Sequence, residues 1–176
     1  MSQNHPFIRL IIKPRHLETF ENLYKEHYQS LHRLAQKMLS YDAANDIVQD
    51  VFVDFFKKTQ KEKKVDYPKS FLYRSTLNKC IDEQRKRKKF AGNEIPAGTT
   101  DGNKNYEKQE TRKLINQGLE ALSIRDRELA VLYSEGLSYK EIAEITGIAI
   151  SSVGKTLSRT LKKLEKELKT IGYEMY

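Results

Sequence analysis

The chain has 176 residues, and its 32 Lys plus Arg against 24 Asp plus Glu give a formal charge of +8. That length closes one ordinary domain or two small ones, because a core forms from roughly 60 to 100 residues, and the cationic excess favours polyanions such as nucleic acid over neutral or cationic partners. The single cysteine, Cys80, excludes an internal disulfide and gives no sign of an oxidising compartment.

The longest apolar run, Phe7 to Ile12, is broken by Arg9 and followed by Lys13 and Pro14, far short of the about 20 residues that a membrane span needs. It also lacks the basic start and small-residue exit of a signal peptide. A cytoplasmic protein is expected, with residues 1–19 as an N-terminal tail.

From Phe20 to Leu39, apolar residues recur at steps of three and four (Phe20, Leu23, Tyr24, Leu31, Leu34, Ala35, Met38, Leu39), which predicts an amphipathic helix. After a turn over residues 40–44, a second helix carries Ile47, Val48, Val51, Phe52, Phe55 and Phe56 on one stripe, with Asp46, Gln49, Asp50 and Asp54 opposite. The stretch Lys57 to Pro68 holds five lysines and ends in a proline that disfavours helix at its predecessor, so a loop is expected there. A third helix, from Lys69 to Lys89, has Tyr73, Leu77 and Ile81 as its buried seam and ends in a basic run from Arg85.

Between residues 91 and 110 three glycines, a proline and several asparagines leave too little apolar surface to offset the entropy of ordering, which predicts a flexible linker. Beyond it, Leu114, Ile115, Leu119 and Leu122 mark one helix. Leu129, Ala130, Leu132 and Tyr133 mark another, opened by the capping pattern Ser123-x-x-Asp126. The same pattern at Ser138-x-x-Glu141 opens a short helix with Ile142, Ala143 and Ile145 that stops at Gly147, before a last helix from Ser151 to Lys169. No strand-like alternation of useful length occurs. The expected fold is all-α: two small helical domains, 20–90 and 111–176, joined by the flexible linker 91–110.

Two helices joined by a glycine turn, the second long and basic, have the form of a DNA-binding helix-turn-helix. Ala143 is small where the helices must approach, Gly147 permits a left-handed stop, and Ile148 and Val153 plug the angle between them. On the last helix Val153, Leu157, Leu161, Leu164 and Leu168 form an apolar stripe, while Lys155, Arg159, Lys162 and Lys166 lie about 200° around from it. Such a helix packs on its domain by one face and meets phosphates and base edges by the other. Ser151, Ser152, Lys155, Thr156 and Arg159 are placed to enter the groove.

Several blocks together resemble the extracytoplasmic-function group of the sigma-70 family of RNA polymerase sigma factors, from about Phe20 to Leu168. The run DIVQDVF from Asp46 to Phe52 is similar to the family's polymerase-docking signature. The resemblance implies that Asp46, Gln49 and Asp50 contact the β′ clamp helices while Val48, Val51 and Phe52 hold the core. The block Phe71 to Lys86 is similar to the promoter-melting segment. It implies that Lys63, Lys64, Asn78, Asp82, Arg85 and Lys86, with the loop from Thr59 to Pro68, hold the non-template strand of the minus-ten element. Phe71 stands where relatives often carry tryptophan, and Phe71 or Tyr73 is left to supply the aromatic support.

The blocks Leu122 to Glu128, Glu135 to Glu144 and Ser152 to Arg159 resemble the minus-thirty-five recognition domain. Relatives often cap its recognition helix with serine where this chain has Ala149, which makes Ser151 the alternative cap. The resemblance further implies the β flap of core polymerase as a partner, promoter DNA as the target, an anti-sigma factor as a further partner, and no cofactor, metal or small-molecule substrate. Asp46, Asp50 and Asp54 lie four apart, as magnesium ligands might be arranged, yet no histidine complements them: all four, His5, His16, His27 and His32, precede the second helix. The competing readings are a stand-alone helix-turn-helix regulator that binds no polymerase and an enzyme acting on nucleic acid.

Overall fold

The computed structural model describes residues 14–60, 65–90 and 106–173. Those residues form seven α-helices and no strand: α1 (Pro14–Gln36), α2 (Tyr41–Gln60), α3 (Pro68–Phe90), α4 (Tyr106–Ala121), α5 (Ile124–Ser134), α6 (Tyr139–Thr146) and α7 (Ile150–Thr170). None of them is long and apolar enough to cross a membrane.

Helices α1 to α3 pack on one another around Leu31, Leu34, Val48, Val51, Leu72 and Leu77, all inaccessible or nearly so. The four-residue spacing of Phe20, Tyr24, Tyr28 and His32 lays a ladder of rings along α1. Phe52 of α2 meets it 6.0 Å from Phe20 and 4.8 Å from Tyr24, while the Tyr28 hydroxyl donates to Asn45 Oδ1 at 2.5 Å. Each such ring pair adds about 0.5–1.5 kcal/mol to the burial of its area, so the rings reinforce an aliphatic core between α1 and α2.

Several helix boundaries differ from those expected, some by a single residue. The first helix starts at Pro14 and the third at Pro68, since proline's fixed φ and missing N–H suit the first helical position. The second runs from Tyr41 through the lysines assigned to a loop, as far as Gln60. Asp42 in its first turn and Lys57 and Lys58 in its last oppose the helix dipole, and solvated lysine is a good helix former. Residues 61–64 and most of the expected linker, 91–105, lie outside the described residues.

In the second lobe polar caps set the helix ends. The Ser123 hydroxyl accepts the Asp126 N–H at the start of α5, and Ser138 and Glu141 form a reciprocal capping box on α6. Gly147 stops α6 with φ of 75°, a left-handed conformation that favours glycine. Helix α4 approaches α7 at Gly118, where an added Cβ would stand 2.8 Å from Leu168 Cδ2. Leu129, Leu132, Ile142, Val153 and Leu157 fill the core. Leu161, expected in the buried stripe of α7, is 37% exposed and Tyr133 of α5 is 44% exposed, because none of the described helices covers that flank.

The two lobes pack side by side, α3 against α6, and the buried apolar residues form one cluster running through both. At its centre the buried Gln84 donates to the Met38 carbonyl at 2.8 Å and accepts from Arg127 Nη1 at 2.5 Å.

Candidate nucleic-acid and polymerase interfaces

Helix α7 packs on its lobe through the buried Val153, Leu157, Thr160 and Leu168, and a buried carboxylate ties it to α5. Asp126 accepts from Lys163 Nζ at 2.7 Å, from the Thr160 hydroxyl at 2.8 Å and from the Ser123 hydroxyl at 2.8 Å. The Lys163 ammonium first, then these hydroxyls, hold its carboxyl below the usual range despite burial. With Thr160 buried and the exposed Lys163 reaching back over Asp126, Ser151, Ser152, Lys155 and Arg159 are exposed, and so are Lys162 and Lys166. Thr156 is half-buried and its hydroxyl donates to the Ser152 carbonyl at 2.8 Å, which ties it to its own helix. The sequence marked Asp126 only as a cap; its reach to α7, 34 and 37 residues on, carries no local signal.

Ser151 does not cap α7. The helix begins one residue earlier, at Ile150, with Ala149 in the cap position and no side-chain hydrogen bond, so Ser151 lies within the first turn and faces solvent.

On α3, Asn78, Asp82, Arg85 and Lys86 are all exposed, with Arg85 Nη1 3.3 Å from Asp82 Oδ1. Opposite them, Leu72, Thr76, Cys80 and Gln84 are buried, and burial pushes the Cys80 thiol up to about 12. Phe71 is half-buried, with the Lys58 ammonium 4.4 Å from its ring centre, whereas Tyr73 is in the core. Of the two aromatics, only Phe71 reaches the surface beside Asn78. Lys63 and Lys64 lie outside the described residues.

On α2, Asp46, Gln49 and Asp50 are exposed, joined on the same strip by Asp42 and by Val53, 47% accessible. Val48, Val51 and Phe52 are buried behind them. Lys79 of α3 stands 3.0 Å from Asp54 and 3.8 Å from Asp50, so a lysine ammonium sits between two of the three aligned carboxylates and links the outer faces of α2 and α3.

An acid-faced helix, a polar strand-sized face and a cationic helix-turn-helix on one all-α chain define a DNA-binding transcription protein. The sigma-70 region 2 family matches residues 23–90 and the sigma-70 region 4 family residues 112–164. Among curated proteins, the ferric citrate uptake sigma factor FecI of Escherichia coli K12 is 32% identical over 152 residues, 82% of this chain and 87% of its own length. RNA polymerase sigma factor YlaC of Bacillus subtilis 168 is 28% identical over 163 residues, 88% of this chain and 94% of its own. The chain belongs to the sigma-70 family of RNA polymerase sigma factors, in its extracytoplasmic-function group, whose members direct transcription initiation.

Two solved structures share the fold. RpoE of Bartonella quintana, bound to the anti-sigma factor NepR, superposes with a TM-score of 0.62 at 23% identity, covering 86% of this chain and 98% of that one. CnrH, bound to the cytosolic domain of CnrY, gives 0.64 at 22% identity over 88% and 90%.

Proposed function

We propose that this sigma factor works in the cytoplasm, binds core polymerase through α2 and carries it to promoters whose two elements are held by different lobes. Asp46 and Gln49, with Asp50, meet the β′ clamp helices. Their support is the exposed acidic strip of α2, whose opposite face is wholly spent on the core. A stand-alone regulator would leave that strip without a task.

Lys155 and Arg159 read or grip the minus-thirty-five element, with Ser151 and Ser152 beside the groove. Asn78, Asp82, Arg85 and Lys86, with Lys63 and Lys64, hold the melted minus-ten strand, and Phe71 supplies the aromatic surface. Extruding a base costs a few kcal/mol of stacking, offset by neutralised phosphates. The chain itself performs no covalent step. A groove of about 490 Å³ lined by Tyr133, Tyr139, Leu161 and Leu164 offers the β flap an apolar seat on the flank of α7, and an anti-sigma protein is a further partner, as NepR is for the similarly folded RpoE.

The observation that carries this reading is the pairing of an exposed acidic strip on α2 with an exposed cationic stripe on α7 in one chain. Permanganate footprinting tests the assignment of α3. Asn78→Ala with Arg85→Ala is expected to leave duplex binding intact and erase the reactive thymines of the open complex; an unchanged footprint removes α3 from the role.

A further inference from the structure

A further cation, Arg74, lies on the face of α3 proposed to hold the strand. Arg74, Asn78, Asp82 and Arg85 follow at steps of four, four and three, which places them on one side of the helix. The last three face solvent or one another. Arg74 instead donates from Nε to the Ile145 carbonyl at 2.6 Å and from Nη2 to the Glu144 carbonyl at 2.9 Å. Both acceptors lie in the last turn of α6, the negative end of its dipole. One turn earlier on α3, Lys69 pairs with Glu141 in the first turn of α6, so the two helices run alongside each other.

The same sorting of charge holds beyond α3. Arg33 of α1 and Lys37 just beyond its end reach Glu135 at 3.5 and 2.6 Å, and the half-buried Glu128 feels the charge of Arg74. Cations come from the first lobe and carboxylates from the second; Arg112 and Arg127 reach back, but to the neutral acceptors Gln36 and Gln84. A carboxylate followed by a row of carbonyl oxygens presents to lysine and arginine what a phosphate backbone presents: anionic and strongly accepting oxygens at close spacing.

We propose that α6 takes the place of a DNA strand on the leading end of α3, so that Arg74, with Lys69, is a strand-contacting pair covered by the chain's own C-terminal lobe until the lobes part. This rests on the assignment of α3 to the minus-ten strand. Opening is required by size. A globule of 176 residues is about 40 Å across, whereas promoter elements about two helical turns apart lie about 70 Å from one another. Packed side by side, the lobes cannot occupy both. The Lys69–Glu141 pair is partly exposed, and such pairs are individually weak and screened by salt, which suits a cover that polymerase or DNA must displace; the Glu135 carboxylate beside Lys37 is buried and is the firmer tie.

The test uses the full chain with Gln29→Cys and Thr170→Cys labelled as a fluorescence donor and acceptor, the buried Cys80 thiol being protected from reaction. Glu141→Gln with Glu135→Gln removes the lobe-two charges while glutamine keeps the α6 capping box; circular dichroism checks that helicity is retained. The ligand is a mixed-sequence single strand of about 15 nucleotides. The expected result is a wider label separation and affinity for the strand raised about three- to tenfold, with Arg74→Ala cancelling the gain. Unchanged label separation, unchanged affinity, or a gain that survives Arg74→Ala overturns the proposal. Co-migration with core polymerase is measured on the same variants and is expected to persist; its loss would count against the sigma-factor reading of the docking face and not against the cover.

Discussion

In the first lobe three long helices pack around an aliphatic core reinforced by ring contacts, and the residues assigned to partners lie on outward faces whose removal takes nothing from the core. In the second, four helices around aliphatic side chains depend on polar fixtures, and the same buried groups that hold the fold also aim the DNA-facing side chains. Asp126 shows the difference: its N–H is capped by Ser123 at the start of α5, and its carboxylate accepts from Thr160 and Lys163 of α7, the helix that carries Lys155 and Arg159. Asp50 in the first lobe, exposed and 3.8 Å from Lys79, supports nothing comparable. Contact and stability are therefore separable in the first lobe and entangled in the second.

The largest effect that separates the lobes is expected from Leu157→Ala. That side chain is 2% exposed, and its truncation should cost the second lobe about 2–5 kcal/mol, read as a shift in the denaturant midpoint of that lobe. Loss of DNA binding there says nothing about contacts.

Next comes Asp126→Ala, which strands Thr160 and Lys163 and should cost about 1–3 kcal/mol, with a further loss of duplex binding as α7 rotates. Asp50→Ala should stay within about 0.5 kcal/mol. Equal effects in chemical denaturation would erase the distinction between the lobes.

Smaller again, Arg159→Ala should weaken binding to the upstream element by about 1–3 kcal/mol with relaxed specificity if it meets a base edge. If it meets phosphate, as is expected of Lys155→Ala, the slope of log affinity against log salt should fall by about one. Titrations at several salt concentrations distinguish the two, and neither variant should move the unfolding midpoint.

The smallest effect is a pH dependence. Lys69 first, then the Ser138 hydroxyl and N–H, lower the Glu141 carboxyl from 4.5 to about 2. A depressed carboxylate stabilises the fold above its unfolded value, so the contribution is full above 4.5 and fades as pH falls from there toward about 2. Thermal unfolding across that window should lose stability in the wild type and less so in Glu141→Gln.

Much of this was legible locally. Ser123, Ser138 and Gly147 announce their helix ends because caps and left-handed stops act within a few residues, and the four-residue steps of Val48, Phe52 or Leu157 betray the buried face whatever lies against it. Other features depend on partners far away in sequence. Periodicity placed Leu161 in the core because it cannot tell where the neighbouring helix ends. Composition made a loop of residues 57–60 because it does not weigh the dipole of the helix before them. The Arg74 bonds to α6 span 70 and 71 residues, and the link from Asp126 to α7 arises only when both helices are folded. The docking and melting assignments came through resemblance and the recognition assignment from the two faces of the last helix; the side-chain geometry adds which of those residues are exposed.

Run-off transcription with core polymerase of the same organism and genomic fragments, sequencing the start sites, confronts the proposed division of labour with experiment. The wild-type chain should produce starts absent from core alone, and Asp46→Arg with Gln49→Ala should abolish them while the variant still binds upstream duplex at wild-type affinity. Transcription unaffected by that variant, or a wild-type chain that holds duplex DNA yet yields no new starts, would contradict the role given to α2.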